Sequence, residues 1–216
     1  MNAAAAARSP AGFWKRYVAY SIDIVLVWLA MEVLSRLFFP TMGMGQLGQL
    51  RSLMTSMQNP EAPPQDQTAL LTQALDLLMR LTIFSSLAYL VIGGAYFVLC
   101  ESSIWQATLG KRLIGIKVVG PDGSRIGRGR AIGRFLAAGL SWLTMNIGHA
   151  LAACKPEHRA LHDYLASTYV ENVDPSRPGM PLWGWLVIAA HAALFVLLIV
   201  GMVMATLASI NTANQF

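Results

Sequence analysis

Charge is what this sequence has least of. Only 12% of its 216 residues are Asp, Glu, Lys or Arg, while 55% are hydrophobic and the mean hydropathy is +0.50. Such a chain has too few ionised groups to clothe itself as a soluble domain of this length would. Cysteine is almost missing as well. Cys100 and Cys154 each close an apolar stretch, so no disulfide framework is indicated. The residue patterns of common catalysts are absent: no nucleophile elbow, no metalloprotease His-Glu-x-x-His, and no dinucleotide fingerprint set between a strand and a helix. Gly110-Lys111 continues with Arg112 where a phosphate loop needs Ser or Thr. A secretion-signal cleavage site is lacking too. Arg8, Lys15 and Arg16 precede an apolar segment, but it is longer than a signal core and contains ionisable residues, so it is expected to stay as a membrane helix.

What is present is apolar length. A bilayer core about 30 Å thick takes about 20 apolar helical residues to cross. Residues 183–210 and 81–100 meet that without an ionised side chain, and 17–39 does so while carrying Asp23, Glu32 and Arg36. A fourth segment, 131–153, is long enough but holds Arg134, Gly139, Asn146, Gly148 and His149. It either spans or dips in and returns as a re-entrant hairpin, which requires protein to cover its backbone.

The connections differ in charge. Residues 1–12 are Ala-rich and predicted to be disordered, and GFWKRY then sets aromatics beside cations, as at a membrane interface. Residues 40–80 form the longest polar connection, an outer loop broken at NPEAPP and turning helical in TALLTQALDLLMR. Seven of the sixteen Lys and Arg lie between Glu101 and Arg134, among them Lys111, Arg112, Arg125, Arg128 and Arg130. That density makes 101–130 a cytoplasmic loop, suited to anionic lipid headgroups and not to nucleic acid. Within it LIGIKVVGPDGSRI reads as a strand ending at Pro-Asp-Gly, and ASTYVENV reads as a second strand. Two such strands pair only on one side of the membrane, which favours the hairpin for 131–153. The expected fold is therefore an all-α polytopic membrane protein with three to four membrane helices, one of them spanning or re-entrant, and a small cytoplasmic β element. Residues 172–216 form a C-terminal extension bearing the helix at 183–210.

Candidate chemistry sits on the first helix. Arg16 and Asp23 are seven residues apart, nearly on one face but about 10 Å distant along the axis, too far for contact. A carboxylate inside a membrane helix costs about 2.5–3.5 kcal/mol on insertion scales, so Asp23 needs a partner or a task. Facing the bundle or a polar cavity would supply one; lipid would not. Glu32 and Arg36 are spaced for a solvated helix pair. Cys154, His158 and His162 recur every fourth residue, but Pro156 interrupts them and no fourth ligand is evident, so no metal site is expected.

Three segments, GFWKRYVAYSIDIVLV, TLGKRLIGIKVVGPDG and HRALHDYLASTYV, together resemble the RDD family of membrane proteins over about residues 12–171. That family is named for one arginine and two aspartates. The resemblance places the arginine on Arg16, one aspartate on Asp23 and the other on Asp163. Ser167 departs from it, standing where the family often has the glycine of LAGT. The resemblance implies a multi-pass protein of a cell membrane, the bacterial inner membrane, and transport of uncertain ligands, with cation/proton exchange for some members. On that expectation Arg16, Asp23 and Asp163 are the ligand- or ion-binding candidates, with no cofactor, no metal and no enzyme activity. The alternative is a non-transporting subunit that stabilises a membrane complex. Its last helix carries Ala189 with Ala193 and Gly201 with Ala205 at the spacing that lets helices approach, in a homo-oligomer or against another membrane protein.

Overall fold

A computed structural model describes residues 8–38, 40–57, 64–154 and 156–213. Three of its helices are long and apolar enough to cross a membrane: Phe13–Phe38, Thr68–Glu101 and Leu182–Asn211. The first is α1 (Phe13–Phe38), which begins four residues earlier than its apolar stretch because the aromatic and cationic residues of FWKR are helical too. The second is continuous but composite: α3 (Pro64–Ala88) passes through a π turn at Tyr89–Gly93 into α4 (Gly94–Glu101). Gly93 is required there, because a Cβ would stand 2.9 Å from the Tyr89 ring.

In the outer connection over 40–80 the helix expected in TALLTQALDLLMR is present within α3, and the stretch before the break is helical as well. Helix α2 (Pro40–Met57) packs against α3, and each opens on a proline, which fits a first helical turn where no amide partner is needed. The break at NPEAPP lies almost wholly outside the described residues. Residues 1–7 of the stretch expected to be disordered also lie outside them, but 8–12 are ordered. Pro10 bridges Glu171, and the Ala11 amide donates to Val170 O at 2.8 Å.

Those residues edge a two-stranded antiparallel sheet of β1 (Ile116–Val119) and β2 (Tyr169–Asn172), in which Val118 pairs with Val170 and Ile116 with Asn172. The expected strand pairing is therefore present. The turn after β1 closes at Gly123, whose φ of +80° suits a glycine. The sheet caps a core of Ala11, Val18, Ala19, Ile114, Ile116, Val118, Ile126, Ala131 and Val170. A short helix not foreseen in the basic loop, α5 (Leu109–Ile114), joins this core to α1.

The segment 131–153 is not one helix. α6 (Arg128–Leu143) ends in a reversal at Met145 and Asn146, both at positive φ, and α7 (Ile147–Ala150) with the 3-10 turn Leu151–Ala153 leaves at 115°. Gly148 permits the reversal, since a Cβ there would lie 2.4 Å from Ser141 Oγ. On α6 the small or polar Ala131, Arg134 and Ser141 turn inward, while Ile132, Leu136 and Leu140 are exposed at four-residue spacing. With its two ends tied to paired strands, the segment returns to the side it left. Helix α8 (Leu161–Leu165) then leads into β2.

Helix α9 (Leu182–Ala213) starts beside the sheet and meets the body through its first turns: Val187 and Ile188 pack on the core, and His191 meets Tyr17 edge-on at 5.7 Å. Further on it is uncovered, with none of its apolar window buried. A helix apolar on every side and bare of protein is built for hydrocarbon.

Candidate functional site

One face of α1 carries Arg16, Tyr20 and Asp23, and the site is assembled along it. Asp23, about 15 Å from the start of the helix by its rise, is wholly buried. Its carboxylate accepts from Tyr96 Oη at 2.6 Å, Thr108 Oγ1 at 2.5 Å and the Gly110 amide at 2.8 Å. The threonine-glycine pair of TLGK explains this local order. Thr108 is the N-cap of α5, and Gly110 lets the two backbones touch, since a Cβ there would sit 2.1 Å from Ala19 O. Asp23 thus holds α5 against α1 through neutral donors, and no cationic side chain pairs with it among the described residues.

The second cluster is ionic. Lys111 donates to Glu101, and Arg134 grips both Glu101 oxygens at 2.6 and 2.7 Å. Arg134 also reaches Asp163 Oδ1, through Nε at 3.0 Å, and Arg16 completes the chain on Asp163 Oδ2. Asp163 accepts in addition from the Ala160 amide at 3.1 Å and Thr168 Oγ1 at 3.2 Å. Burial by itself would raise the Asp163 carboxyl, but Arg134 and Arg16 outweigh it and hold the group well below the usual carboxylate range. Three cations against two carboxylates leave this buried set at +1, by counting Lys111, Arg134 and Arg16 against Glu101 and Asp163. Burial and then Arg134 push His162 down to about 3, so its ring is neutral. It lies 5.1 Å from the ring of His149, and Ser141 Oγ, His149 Nδ1 and His162 Nδ1 have no hydrogen-bond partner among the described residues.

The structure therefore unites two of the three expected site residues and keeps the third apart. Arg16 and Asp163 bond each other, while Asp23 has its own pocket of donors. Cys154, His158 and His162 do not converge: His158 Nδ1 meets Ala152 O at 3.0 Å, and Cys154 is exposed. Glu32 and Arg36 form the expected surface pair at 2.7 Å. Lys111, counted with the basic loop, turns inward to Glu101 and leaves Arg125, Arg128 and Arg130 on the surface. Sequence reasoning missed Glu101, Arg134, Tyr96 and Thr108 as partners. Glu101 and Arg134 each interrupt an otherwise apolar stretch, the signal that two buried opposite charges leave behind.

The arginine of HRALHDY also has a structural part, for Arg159 stacks over Tyr164 and Tyr169 at 4.1 and 4.4 Å and donates to the carbonyls of Asp163 and Thr168. Ser167, the departure from LAGT, has a φ of +51°, the left-handed region in which glycine is at ease.

The uncharacterized protein YxaI of Bacillus subtilis is 32% identical over 161 residues, which are 74% of this chain and 96% of that protein. The uncharacterized protein YckC of the same organism is 36% identical over 77 residues, 33% of this chain and 51% of that one. No solved structure matches. The RDD family pattern matches residues 10–167, a span that contains Arg16, Asp23 and Asp163 and ends before α9, and the chain belongs to the RDD family.

Proposed function

We propose that this protein is a non-enzymatic transporter of an ion or small ligand in the cell membrane, in which Asp23 takes up and releases a proton or cation. The observation that carries this reading is a fully buried carboxylate, inside an apolar helix, bonded by two hydroxyls and an amide and by no cation. A permanent buried charge is expensive without a counter-ion, whereas a carboxyl that exchanges its proton is not. Tyr96 and Thr108 suit both states, because a hydroxyl that donates to the carboxylate can rotate to accept from the protonated acid. Arg16 and Asp163 are fixed by each other and serve as the anchor of the cytoplasmic end. That end is assigned by its basic loop, with Arg128 and Arg130 facing lipid headgroups.

A second reading rests on α9. Its bare length and the small number of spans favour a homo-oligomer or a complex with another membrane protein, in which this chain could be a stabilising subunit that transports nothing.

Purified protein in liposomes separates the two. Under an imposed cation gradient the transporter moves protons, and Asp23→Asn abolishes that flux while leaving a folded protein in the membrane. Absence of flux in the natural chain, or flux unchanged by Asp23→Asn, would overturn the assignment.

A further inference from the structure

Helix α5 has two faces that the transport reading does not use together. Gly110, Lys111 and Ile114 turn inward, while Leu109, Arg112 and Leu113 are exposed. Its beginning touches α1 at Ala19, about 9 Å along a helix that crosses the membrane, and its end passes through Gly115 into the sheet. The helix therefore climbs from hydrocarbon depth towards the polar boundary. Leu109 and Leu113 are exposed on its outer face, and Ile104 is exposed in the preceding turn.

Arg112 lies near the upper end of that climb. Its guanidinium is stacked 4.1 Å from the centre of the Trp105 ring and has no carboxylate or carbonyl partner among the described residues. Beside it is a groove of about 290 Å³ lined by Trp105, Ala107, Arg112, Gly115, Ile116 and Val173. Asp174, which follows the groove residue Val173, is already occupied by the amide and hydroxyl of Ser176 at 2.9 and 2.6 Å. A stacked, unpaired arginine presents its remaining N–H groups in a fork suited to phosphate oxygens.

We propose that Arg112 and Trp105 form a specific site for the phosphate of an anionic phospholipid of the cytoplasmic leaflet, whose acyl chains lie along Ile104, Leu109 and Leu113. The occupant is a lipid and not a soluble phosphate because the cation shares the exposed face of α5 with Leu109 and Leu113, on a helix that packs against the candidate membrane span α1. The inference rests on membrane placement of the chain and is independent of what, if anything, Asp23 carries.

The test uses the full chain in nanodiscs and the tryptophan fluorescence due to Trp105, taken as the difference from Trp105→Phe. Brominated phosphatidylglycerol is compared with brominated phosphatidylcholine at equal mole fraction. The anionic lipid should quench Trp105 with about fivefold preference, the ratio that one cation at a membrane surface is worth. Arg112→Gln should remove the preference, and Arg125→Gln, on the same loop but away from the groove, should keep it. Far-ultraviolet circular dichroism and gel filtration confirm that each variant is folded; should Arg112→Gln fail them, Arg112→Lys replaces it and should reduce the preference by losing the fork. Equal quenching by both lipids, preference surviving the Arg112 substitution, or preference lost in Arg125→Gln would overturn the site. So would loss of the preference in millimolar inorganic phosphate, which would make the ligand a soluble anion.

Discussion

Asp23 and Asp163 are both wholly buried and both lie in the span that the family pattern matches, yet their surroundings are opposite in kind. Asp163 lies between two arginines, and its charge is part of a five-residue ionic chain running from Lys111 to Arg16. Asp23 has two hydroxyls and an amide as donors, and no cation pairs with it among the described residues. On the transport reading proposed above, the difference separates anchoring from exchange. A carboxylate bound by cations cannot change protonation without stranding them, whereas one bound by hydroxyls can.

The largest expected effect puts the two side by side. Asp163→Asn takes the carboxylate from Arg16 and leaves Arg134 to Glu101 alone in a buried site, and should cost about 3–5 kcal/mol of stability, the range for breaking a buried ion pair from one side. Asp23→Asn strands no cation and should cost about 1–2 kcal/mol, the price of rearranged neutral hydrogen bonds. Unfolding in detergent, followed by tryptophan fluorescence, measures both; equal losses would erase the distinction between the sites. Next in size, Gly110→Ala drives a methyl against Ala19 O and should separate α5 from Asp23 at a cost of about 1–3 kcal/mol. If stability and proton flux both survive that change, the α5 clamp is not what organises the Asp23 pocket.

Acid should act first at the anchoring end. His162 is held neutral in the folded protein down to about pH 3, against an ordinary value near 6.5, so the unfolded chain binds the extra proton between those limits. Stability from this group is complete above about pH 6.5 and declines as pH falls, by at most about 1.4 kcal/mol per pH unit. The groups facing it are Arg134, Arg16, His149 and Asp163, of which Asp163 adds its own loss below about pH 4, where an ordinary carboxyl protonates. His162→Gln should flatten the limb between pH 6 and 4.5, and an unchanged slope there would show that His162 is not the titrating group. The smallest effect is a gain. Ser167→Gly relieves a left-handed backbone and should stabilise by about 1 kcal/mol, read as a raised melting temperature with flux unaltered.

Much of the architecture was legible before any coordinates. Apolar length marked α1, α4 and α9, because crossing a bilayer is a requirement on composition and each residue meets it locally. Alternation and a Pro-Asp-Gly turn marked β1, and the pairing of β1 with β2 followed from keeping both on one side. Charge density was a poorer guide. It grouped Lys111 and Arg134 with the surface arginines, although both are buried against Glu101. In the outer connection the helix read in TALLTQALDLLMR is present as part of α3, and its first part, left without an element, forms α2.

By itself, then, the sequence determined that this chain lies in a membrane, how many long apolar helices it has, and which aspartate sits inside one of them. Those properties depend on residue type and on spacing along the chain. Only the tertiary structure decided that Arg16 belongs to Asp163 and not to Asp23, that Arg134 and Glu101 extend that pair to Lys111, and that Asp23 is left to neutral donors. The physical reason is that the partner of a buried charge is whatever the fold brings within about 3 Å. Arg16 and Asp163 are 147 positions apart, and no local rule of spacing carries that far.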